Sequence, residues 1–478
     1  MVRTRFAPSP TGYMHIGNLR TALYAYLFAR ANNGKFILRI EDTDVERTVT
    51  GAIDVIYNTL HQAGLEYDEG PDIGGEYGPY TQTKRKDIYN EYGHKLVKTG
   101  AAYYCFCKKE RLEELRENGA TKYDKHCLHN ITYEQAQARI AKGEPYVIRQ
   151  NIPMQGVSSY NDLVFGEISV DYKDLEDNIL LKSDGMPTYN FANVIDDHLM
   201  KINYVIRGAE YLTSTNKYNL IYDAFGWERP NYIHLQPIMK DASHKLSKRT
   251  GDASFEDFLA KGYLSQAIIN YIALLGWSPK DNREKLSLDE LQQLFSLEGL
   301  SKSPSIFDEP KMCWLNSLYI KELPSEEFTV KATPYYDSLG FGGKFDYNKL
   351  TALLQPRVEI FSDITEKARF LNEFDNFDFG LFDNKKLKTD ANIAKEVLPK
   401  LLERMQNIQS YDNNTLFQNI QELAAELNIK SGALFWIMRI GLTGAAVTPG
   451  GATEMAELLG KEMSLLRLEK IIDRLNKE

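Results

Sequence analysis

Two short segments of the chain carry residues suited to binding phosphate groups. His15-Ile-Gly-Asn18 closely follows Pro8-Ser-Pro-Thr-Gly12, and Lys245-Leu-Ser-Lys-Arg249 lies about 230 residues further along. Where a loop turns into a helix, free backbone N–H groups and the positive end of the helix dipole face an incoming anion. Gly17 would let a ligand approach the backbone, and His15 could donate a hydrogen bond to a phosphate oxygen.

The second segment holds three cations in five residues and is followed by Thr250 and Gly251. Such a loop can close on a triphosphate as the charge of that group redistributes. A basic pentapeptide alone is usually a solvated surface, and a lone His-x-Gly is usually a polar helix start. Their presence in one chain, with the first segment between a strand and a helix, favours a shared phosphate site. The residues predicted to form it are Pro8, Ser9, Gly12, His15, Gly17, Asn18, Leu246, Ser247, Lys248 and Arg249.

Clustered cysteines suggest a metal site elsewhere in the chain. Cys105-Phe-Cys107 and Cys127-Leu-His129 form a C-x-C…C-x-H arrangement with nineteen residues between the two pairs. Three thiolates and one imidazole suit a tetrahedral zinc ion, one per chain, and neighbouring lysines would help to hold the thiolates. Tyr123 competes with His129 as the fourth ligand. The alternative without a metal is a set of buried thiols beside a surface histidine.

The first 45 residues predict the elements that position the phosphate loop. Residues 2–7 are a short extended run, residues 18–31 form an amphipathic helix, and residues 35–40 form a buried strand. This pattern is the opening βαβ unit of a parallel sheet. Arg5, on the first strand, and Arg207, at the end of an apolar run, then both lie at strand carboxyl ends, where open parallel sheets bind ligands.

The pattern changes twice further along the chain. Between residues 103 and 184, short strands, turn residues and the cysteines indicate an insertion, and amphipathic helices dominate the last third. We therefore predict an α/β Rossmann-like domain split by an α+β insertion and followed by an all-α C-terminal half. The predicted divisions are 1–102 with 185–240, 103–184, 241–323 with the lysine segment, and 324–478.

Composition excludes several classes of protein. A hydrophobic content of 43% and a charged content of 26% are typical of soluble globular proteins. No apolar run approaches the roughly 18 residues needed to span a bilayer, and the N-terminus shows no apolar core behind a basic start. We therefore expect no signal peptide, no membrane association and a cytoplasmic location. The net charge of -9 argues against a general nucleic-acid coat but permits a local basic surface.

The two phosphate segments together resemble the signature motifs of class I aminoacyl-tRNA synthetases. Over nearly the whole chain, the surrounding residues are similar to the bacterial-type glutamyl-tRNA synthetases. One position departs from the pattern: the first motif usually ends in a second histidine, and Asn18 stands there instead, able to donate but not to carry charge. The matching segments are Arg5–Gly12, Arg39–Asp44, Leu181–Gly185, Asp196–His198 and Phe307–Ile320.

This resemblance implies an ATP-dependent ligation of L-glutamate to tRNA(Glu) in two steps through glutamyl-adenylate, producing Glu-tRNA, AMP and diphosphate. It implies that Mg²⁺ accompanies ATP, that tRNA binds before activation, and that the enzyme acts as a monomer. His15 and Lys248, assisted by Lys245, are then the catalytic residues. The first division is implied to be the catalytic domain, the insertion to bind zinc and the acceptor stem, residues 241–323 to contact the stem, and residues 324–478 to bind the anticodon.

The resemblance also implies a glutamate pocket. Glutamate carries one ammonium and two carboxylates, for which one acid and two arginines are the natural complement. Arg5 and Arg207 match the residues that address the carboxylates, and Glu41 matches the residue that takes the ammonium. Glutamine would leave an arginine unpaired at a cost of roughly 2–5 kcal/mol, which favours glutamate as the substrate. Further pocket positions are Ser9, Tyr189 and Asn193.

Other functions share parts of this pattern. Glutaminyl-tRNA synthetases resemble the chain but carry β-barrel anticodon domains, and the truncated relatives that glutamylate a tRNA base lack an anticodon region. Nucleotidyltransferases share the His-x-Gly loop without the lysine segment, and a non-catalytic RNA-binding paralogue would be expected to have lost Lys248 or Arg207. Arg357 matches an arginine that reads the third anticodon base. Whether tRNA(Gln) is also charged stays open.

Overall fold

The chain opens with a parallel βαβ unit built from β1 (Arg3–Phe6), α1 (Ile16–Ala31) and β2 (Lys35–Leu38). All four residues of β1 are buried, as a strand inside a sheet requires. The helix begins two residues before the predicted start because His15 caps it: its Nδ1 accepts a hydrogen bond from the Gly17 N–H at 3.0 Å.

The computed structural model describes residues 1–246, 254–374 and 377–477, so Ser247, Lys248 and Arg249 lie outside the described residues. The chain divides into two units, Met1–Ala260 with Ser265–Glu309, and Lys261–Leu264 with Pro310–Glu478. Further elements of the first unit are α2 (Ala52–Gln62), α3 (Lys86–Lys98), β3 (Ala102–Cys105), α4 (Lys109–Glu117), α5 (His126–Asn130), α6 (Tyr133–Ala141), β4 (Val147–Gln150), β5 (Val157–Asp162), β6 (Gly166–Asp171), β7 (Ile179–Leu181), α7 (Tyr189–Leu199), β8 (Tyr204–Gly208), α8 (Thr215–Phe225), β9 (Asn231–Leu235), β10 (Ile238–Met239), α9 (Phe255–Ala260), α10 (Ser265–Leu274), α11 (Leu288–Leu294) and β11 (Ser305–Ile306).

β1 lies next to β8, which is the edge strand of a separate four-stranded sheet of the first unit. The Arg5 Nη1 donates to the Ile206 carbonyl oxygen at 3.3 Å, and β8 pairs in parallel with β9. The carboxyl ends of β1 and β8 therefore lie side by side. β5 and β6, although inside the predicted insertion, join the sheet of β8 and β9, because β5 pairs in parallel with β9 and antiparallel with β6.

A separate antiparallel sheet of β3, β4 and β7 lies in the region predicted as the insertion. Its apolar residues pack with α3, α7 and α8 around a common core that includes Tyr89, Ile148, Leu181, Phe191 and Tyr218. The cysteine-bearing β3 and α5 lie beside this core, in a smaller cluster with Tyr103 and Tyr123.

The second unit is helical over its described residues, as predicted. Arg467 is buried inside it and donates to the carbonyl oxygens of Phe370, Leu371 and Leu442. None of the described helices of the chain is long and apolar enough to cross a membrane. The helices are α12 (Glu309–Glu322), which continues from the first unit, α13 (Ser325–Ser338), α14 (Tyr347–Leu354), α15 (Asp363–Ala368), α16 (Ala391–Asn407), α17 (Asn413–Glu426), α18 (Ser431–Thr443), α19 (Ala452–Leu459) and α20 (Lys461–Leu475).

Candidate active site

A cavity of about 550 Å³ opens where β1 and β8 end and α1 begins. It brings together residues that are more than 200 positions apart in the sequence, and such convergence at strand carboxyl ends is where α/β sheets bind ligands. Gly12 and Asn193 are not among the residues that line it. The predicted site residues that do line it are Arg5, Pro8, Ser9, His15, Gly17, Asn18, Glu41, Tyr189, Arg207, Lys245 and Leu246.

The phosphate loop ends in a well-defined helix start. His15 is the N-cap of α1, and because its Nδ1 accepts the Gly17 N–H, the proton of the neutral ring sits on Nε2. His15 and Gly17, at the N-terminus of α1, both line the cavity, and a helix N-terminus suits an anion. A Cβ at Gly17 would lie 3.1 Å from the His15 Nδ1, so a side chain here would push the capping ring by a few tenths of an ångström.

The lysine segment reaches the cavity through a short hairpin. Met239 and Lys245 form an antiparallel bridge, and the Leu246 N–H donates to the Ile238 carbonyl oxygen at 3.1 Å. The Lys245 side chain is exposed at the cavity wall. One cation of the segment thus lies in the lining near the N-terminus of α1.

A buried cluster of charged side chains supports one wall of the cavity. The Arg39 guanidinium contacts the Asp197 carboxylate at 2.7 Å and the Glu41 carboxylate at 3.0 Å, and the Arg5 Nε contacts Asp197 at 3.1 Å. Asp196 lies 3.8 Å from the Arg39 Nε and forms a closer ion pair, at 2.7 Å, with Arg85. Two proposed glutamate-binding residues, Arg5 and Glu41, are therefore held by one shared network of ion pairs.

This cluster shifts the pKa of two of its three acids. Burial raises the pKa of the Glu41 carboxyl, and the charges of Arg39 and Arg5 oppose that rise. Burial would also raise the pKa of Asp197, but contact with Arg5 and Arg39 lowers it overall. Asp197 thus stays ionised and neutralises much of the charge of Arg5.

Arg207 lies in a different environment at the end of β8. Its guanidinium carbon lies 5.0 Å, 5.2 Å and 5.4 Å from the ring centroids of Tyr218, Tyr211 and Tyr232, and its Nη2 donates to the Thr215 hydroxyl. Asn193, by contrast, is buried and donates its side-chain amide to the Tyr189 carbonyl oxygen. Asn193 therefore supports the helix that carries Tyr189.

The sequence did not predict some of the residues that line the cavity. Arg47, Glu210, Tyr211 and Gln236 contribute to the cavity wall. Glu210 and Tyr211 directly follow β8, so the rule that strand ends bind ligands would have found them. Arg47 follows the motif at Arg39–Asp44, and no pattern in the sequence indicated its position.

The three clustered cysteines meet as predicted. The Sγ atoms of Cys105, Cys107 and Cys127 all lie within 4.8 Å of one another. The hydroxyl of Tyr123 lies 3.4 Å from the Cys105 Sγ and 3.2 Å from the Cys107 Sγ, whereas His129 is not in this group. Hydrogen bonds from Cys127 and Tyr123 lower the pKa of the Cys105 thiol. The donor set of three thiols and a phenol suits a small thiophilic cation such as zinc.

Arg357 lies in the second unit, just beyond the carboxyl end of α14. It is exposed, and its Nη1 donates to the Leu353 carbonyl oxygen at 2.8 Å. The preceding Gln355 is anchored by its amide to the carbonyl oxygens of Ile320 and Leu323. The backbone that carries the arginine is thus fixed while its side chain faces solvent.

Comparison with known proteins decides the family. Residues 1–314 match the family described as tRNA synthetases class I (E and Q), catalytic domain, and residues 327–472 match an anticodon binding domain. The chain belongs to the class I tRNA synthetases of the glutamate and glutamine group. It is 53% identical to proteins named glutamate–tRNA ligase from Clostridium botulinum (strain Eklund 17B) and Clostridium novyi, with 99% of this chain and 99% and 98% of those relatives covered.

Solved structures of class I synthetases agree with this assignment. A glutamate tRNA ligase from Elizabethkingia meningosepticum, solved in complex with its amino acid, is 34% identical with a TM-score of 0.88, and 99% of each chain is covered. The glutamate–tRNA synthetase from Elizabethkingia anophelis is also 34% identical, with a TM-score of 0.89 and the same coverage. The predicted fold class is therefore confirmed. As a class I synthetase the chain uses ATP, and the family match excludes a nucleotidyltransferase.

Proposed function

We propose that this synthetase ligates L-glutamate to tRNA(Glu) through glutamyl-adenylate in the cavity at the ends of β1 and β8. The chain has glutamate–tRNA ligase activity, as its full-length relatives do. The observation that supports this location is the convergence of Arg5, Glu41 and Arg207 with the capped N-terminus of α1. Charges that complement glutamate and donors that suit phosphates therefore share one space.

In the first step, a carboxylate oxygen of glutamate attacks the α-phosphorus of ATP, a P–O bond forms, and diphosphate leaves. The carboxylate is already a nucleophile, so the enzyme needs to supply position and charge stabilisation, without a general base. We assign the stabilisation of the leaving diphosphate to His15 and Lys248, assisted by Lys245; Lys248 lies outside the described residues. Mg²⁺ bound with ATP would neutralise the charge of its phosphates.

In the second step, a ribose hydroxyl of the terminal adenosine attacks the carbonyl carbon of the adenylate, and AMP leaves. The helical second unit binds the anticodon, and Arg357 is proposed to contact its third base because it is exposed on an anchored backbone. We also propose that tRNA binds before activation and that the enzyme works as a cytoplasmic monomer. The four divisions predicted from the sequence are retained as a proposal.

The charges of the cavity favour glutamate over glutamine. Arg5 and Arg207 are buried, with 4% and 5% of their surfaces exposed. A neutral amide in place of a carboxylate would leave a buried guanidinium without its counter-charge, at a cost of roughly 2–5 kcal/mol. That corresponds to a selectivity of about 30-fold or more.

The decisive experiment measures aminoacylation with labelled glutamate on purified tRNA(Glu) and tRNA(Gln) in parallel. We expect charging of tRNA(Glu) that depends on ATP. Failure to charge either tRNA would contradict the proposed function. Charging of both would show that the enzyme is non-discriminating and would leave the glutamate site unchanged.

We further propose one structural zinc ion per chain, held by Cys105, Cys107 and Cys127 with Tyr123 as the fourth ligand. Bound there, it would join β3 to α5. We expect about one equivalent of zinc in the purified protein and its loss in C127S, while H129Q retains it because His129 is not in the group. Elemental analysis provides the measurement, and less than about half an equivalent in the unaltered chain, or zinc loss in H129Q alone, would contradict this assignment.

A further inference from the structure

Three side chains on neighbouring strands form a buried chain of hydrogen bonds that ends at Arg207. The Arg207 Nε on β8 donates to the Nε2 of His234 on β9 at 3.2 Å. The Nδ1 of His234 contacts the Oδ2 of Asp162, the last residue of β5, at 2.7 Å. His234 is 0% exposed and Asp162 is 1% exposed, so neither side chain can contact a substrate itself.

The contacts determine where the imidazole proton sits. A guanidinium can only donate, so the His234 Nε2 must accept from Arg207 and carries no proton. The single proton of the neutral ring is then on Nδ1, and it is donated to Asp162. The other carboxylate oxygen of Asp162 accepts the backbone N–H groups of Val164 and Phe165, each at 2.9 Å. Asp162 is therefore fixed in place and selects one tautomer of His234.

Arg207 differs from Arg5 in the charge of its partners. Arg5 contacts the Asp197 carboxylate directly, whereas within the described ranges Arg207 has no acidic group within salt-bridge distance. Its Nε and Nη2 are held by neutral groups of His234 and Thr215, and no described residue accepts a hydrogen bond from its Nη1. The side chain is thus oriented in the cavity wall with its positive charge still available to an incoming carboxylate.

We propose that His234 and Asp162 are positioning residues that aim Arg207 at a carboxylate of the amino-acid substrate. The neutral imidazole of His234 lies between the two charged groups. Asp162 fixes the ring, and the ring fixes Arg207. The Asp162 carboxylate itself stays away from the guanidinium, where it would compete with the carboxylate of the substrate. This inference rests on the proposed function, because it takes the ligand of Arg207 to be glutamate. It assigns a role in amino-acid affinity to two residues that never touch the amino acid.

Four variants test this role by steady-state aminoacylation of tRNA(Glu), with KM measured separately for glutamate and for ATP. His234→Phe keeps a buried ring but removes the acceptor, and Asp162→Asn would donate to Nδ1 and place the proton on Nε2, facing the Arg207 N–H. His234→Gln restores an acceptor that can reach Arg207. His94→Phe is the matched control, because His94 contacts Tyr104 and is not part of the cavity lining.

We expect His234→Phe and Asp162→Asn each to raise the glutamate KM about tenfold or more, with the ATP KM within about twofold of the unaltered enzyme. His234→Gln should stay within about threefold for both substrates, as should His94→Phe. A wild-type glutamate KM in His234→Phe, or equal increases of both KM values in all three site variants, would overturn the proposal. If His234→Phe does not fold, the glutamate KM values of Asp162→Asn and His234→Gln are compared instead. Equal glutamate KM values for these two variants would refute the positioning role. Absence of charging by the unaltered enzyme would instead refute the proposed function.

Discussion

At the level of single residues, some members of the candidate site could be predicted from the sequence, but their contacts could not. Arg5 and Arg207 could be expected at a ligand site because both lie at strand carboxyl ends, whereas Glu41 was proposed from the family resemblance. Their partners were not identifiable, because Arg39 and Asp197 are 158 positions apart and meet only in the folded first unit. The surroundings of the cysteine cluster show the same limit: spacing favoured His129, but the hydroxyl that lies 3.4 Å and 3.2 Å from two of the thiols belongs to Tyr123.

At this scale the titration of His198 can be predicted. Its ring stacks on Trp227 at 3.6 Å, and burial, together with the charge of Lys201, lowers the pKa of His198 to about 4. Because the folded-state pKa lies below the ordinary value of about 6.5, the unfolded chain binds the proton more readily. The associated stability is present above pH 6.5 and is lost as the pH falls from there toward 4. NMR titration of the ring should give a midpoint near 4, and a midpoint above 6 would contradict the stacked, partly buried environment.

Helices and strands were easier to predict from the sequence than the residues at which they begin and end. The helix at residues 18–31 was found from its apolar spacing, but its true start at Ile16 depends on a side-chain cap that spacing does not encode. β5 was placed with the insertion because it lies between two turn-rich stretches, yet it pairs with β9 across 70 residues, at Asp162 and Tyr232. Pairing over that distance is decided by packing, which local pattern cannot reveal.

The start of α1 yields a prediction about the phosphate loop. Gly17→Ala would place a methyl group 3.1 Å from the His15 Nδ1 and displace the capping ring. Loss of the cap costs about 1 kcal/mol, and the better helix propensity of alanine offsets about the same amount, so stability should change little. The ATP KM should rise about tenfold, because both the added methyl group and the shifted ring alter the cavity lining at the N-terminus of α1. Kinetics and thermal unfolding measure the two effects.

Gly432→Ala is the matched control for that experiment. Gly432 is the second residue of α18, as Gly17 is of α1, and an added Cβ there meets only Leu387 at an ordinary 3.5 Å. It should leave the ATP KM unchanged and keep stability the same or slightly higher. An ATP KM unchanged in Gly17→Ala would show that the cap of α1 does not orient a phosphate-binding group.

For the whole molecule, the division into two units predicts that damage in one can stay local. In the second unit Arg467 is 5% exposed and satisfies three backbone carbonyls, those of Phe370, Leu371 and Leu442. Arg467→Met keeps much of the volume but leaves these acceptors unpaired, at a cost of about 3 kcal/mol. We expect amides of α16 and α18 to exchange about a hundredfold faster by hydrogen-exchange mass spectrometry, with α1 unchanged.

Arg404→Met supplies the comparison that separates buried from exposed arginine in the same unit. Arg404 pairs with Glu426 at 2.5 Å, but that carboxylate is 57% exposed, so the pair should contribute less than about 1 kcal/mol. Exchange in α16 should then stay within about fivefold of the unaltered chain. If Arg467→Met accelerated exchange in α1 as much as in α18, the two units would unfold as one, which would contradict the prediction. If only the second unit responds, tRNA recognition can be weakened by mutation while the glutamate cavity keeps its geometry, and charging should fall through the tRNA KM.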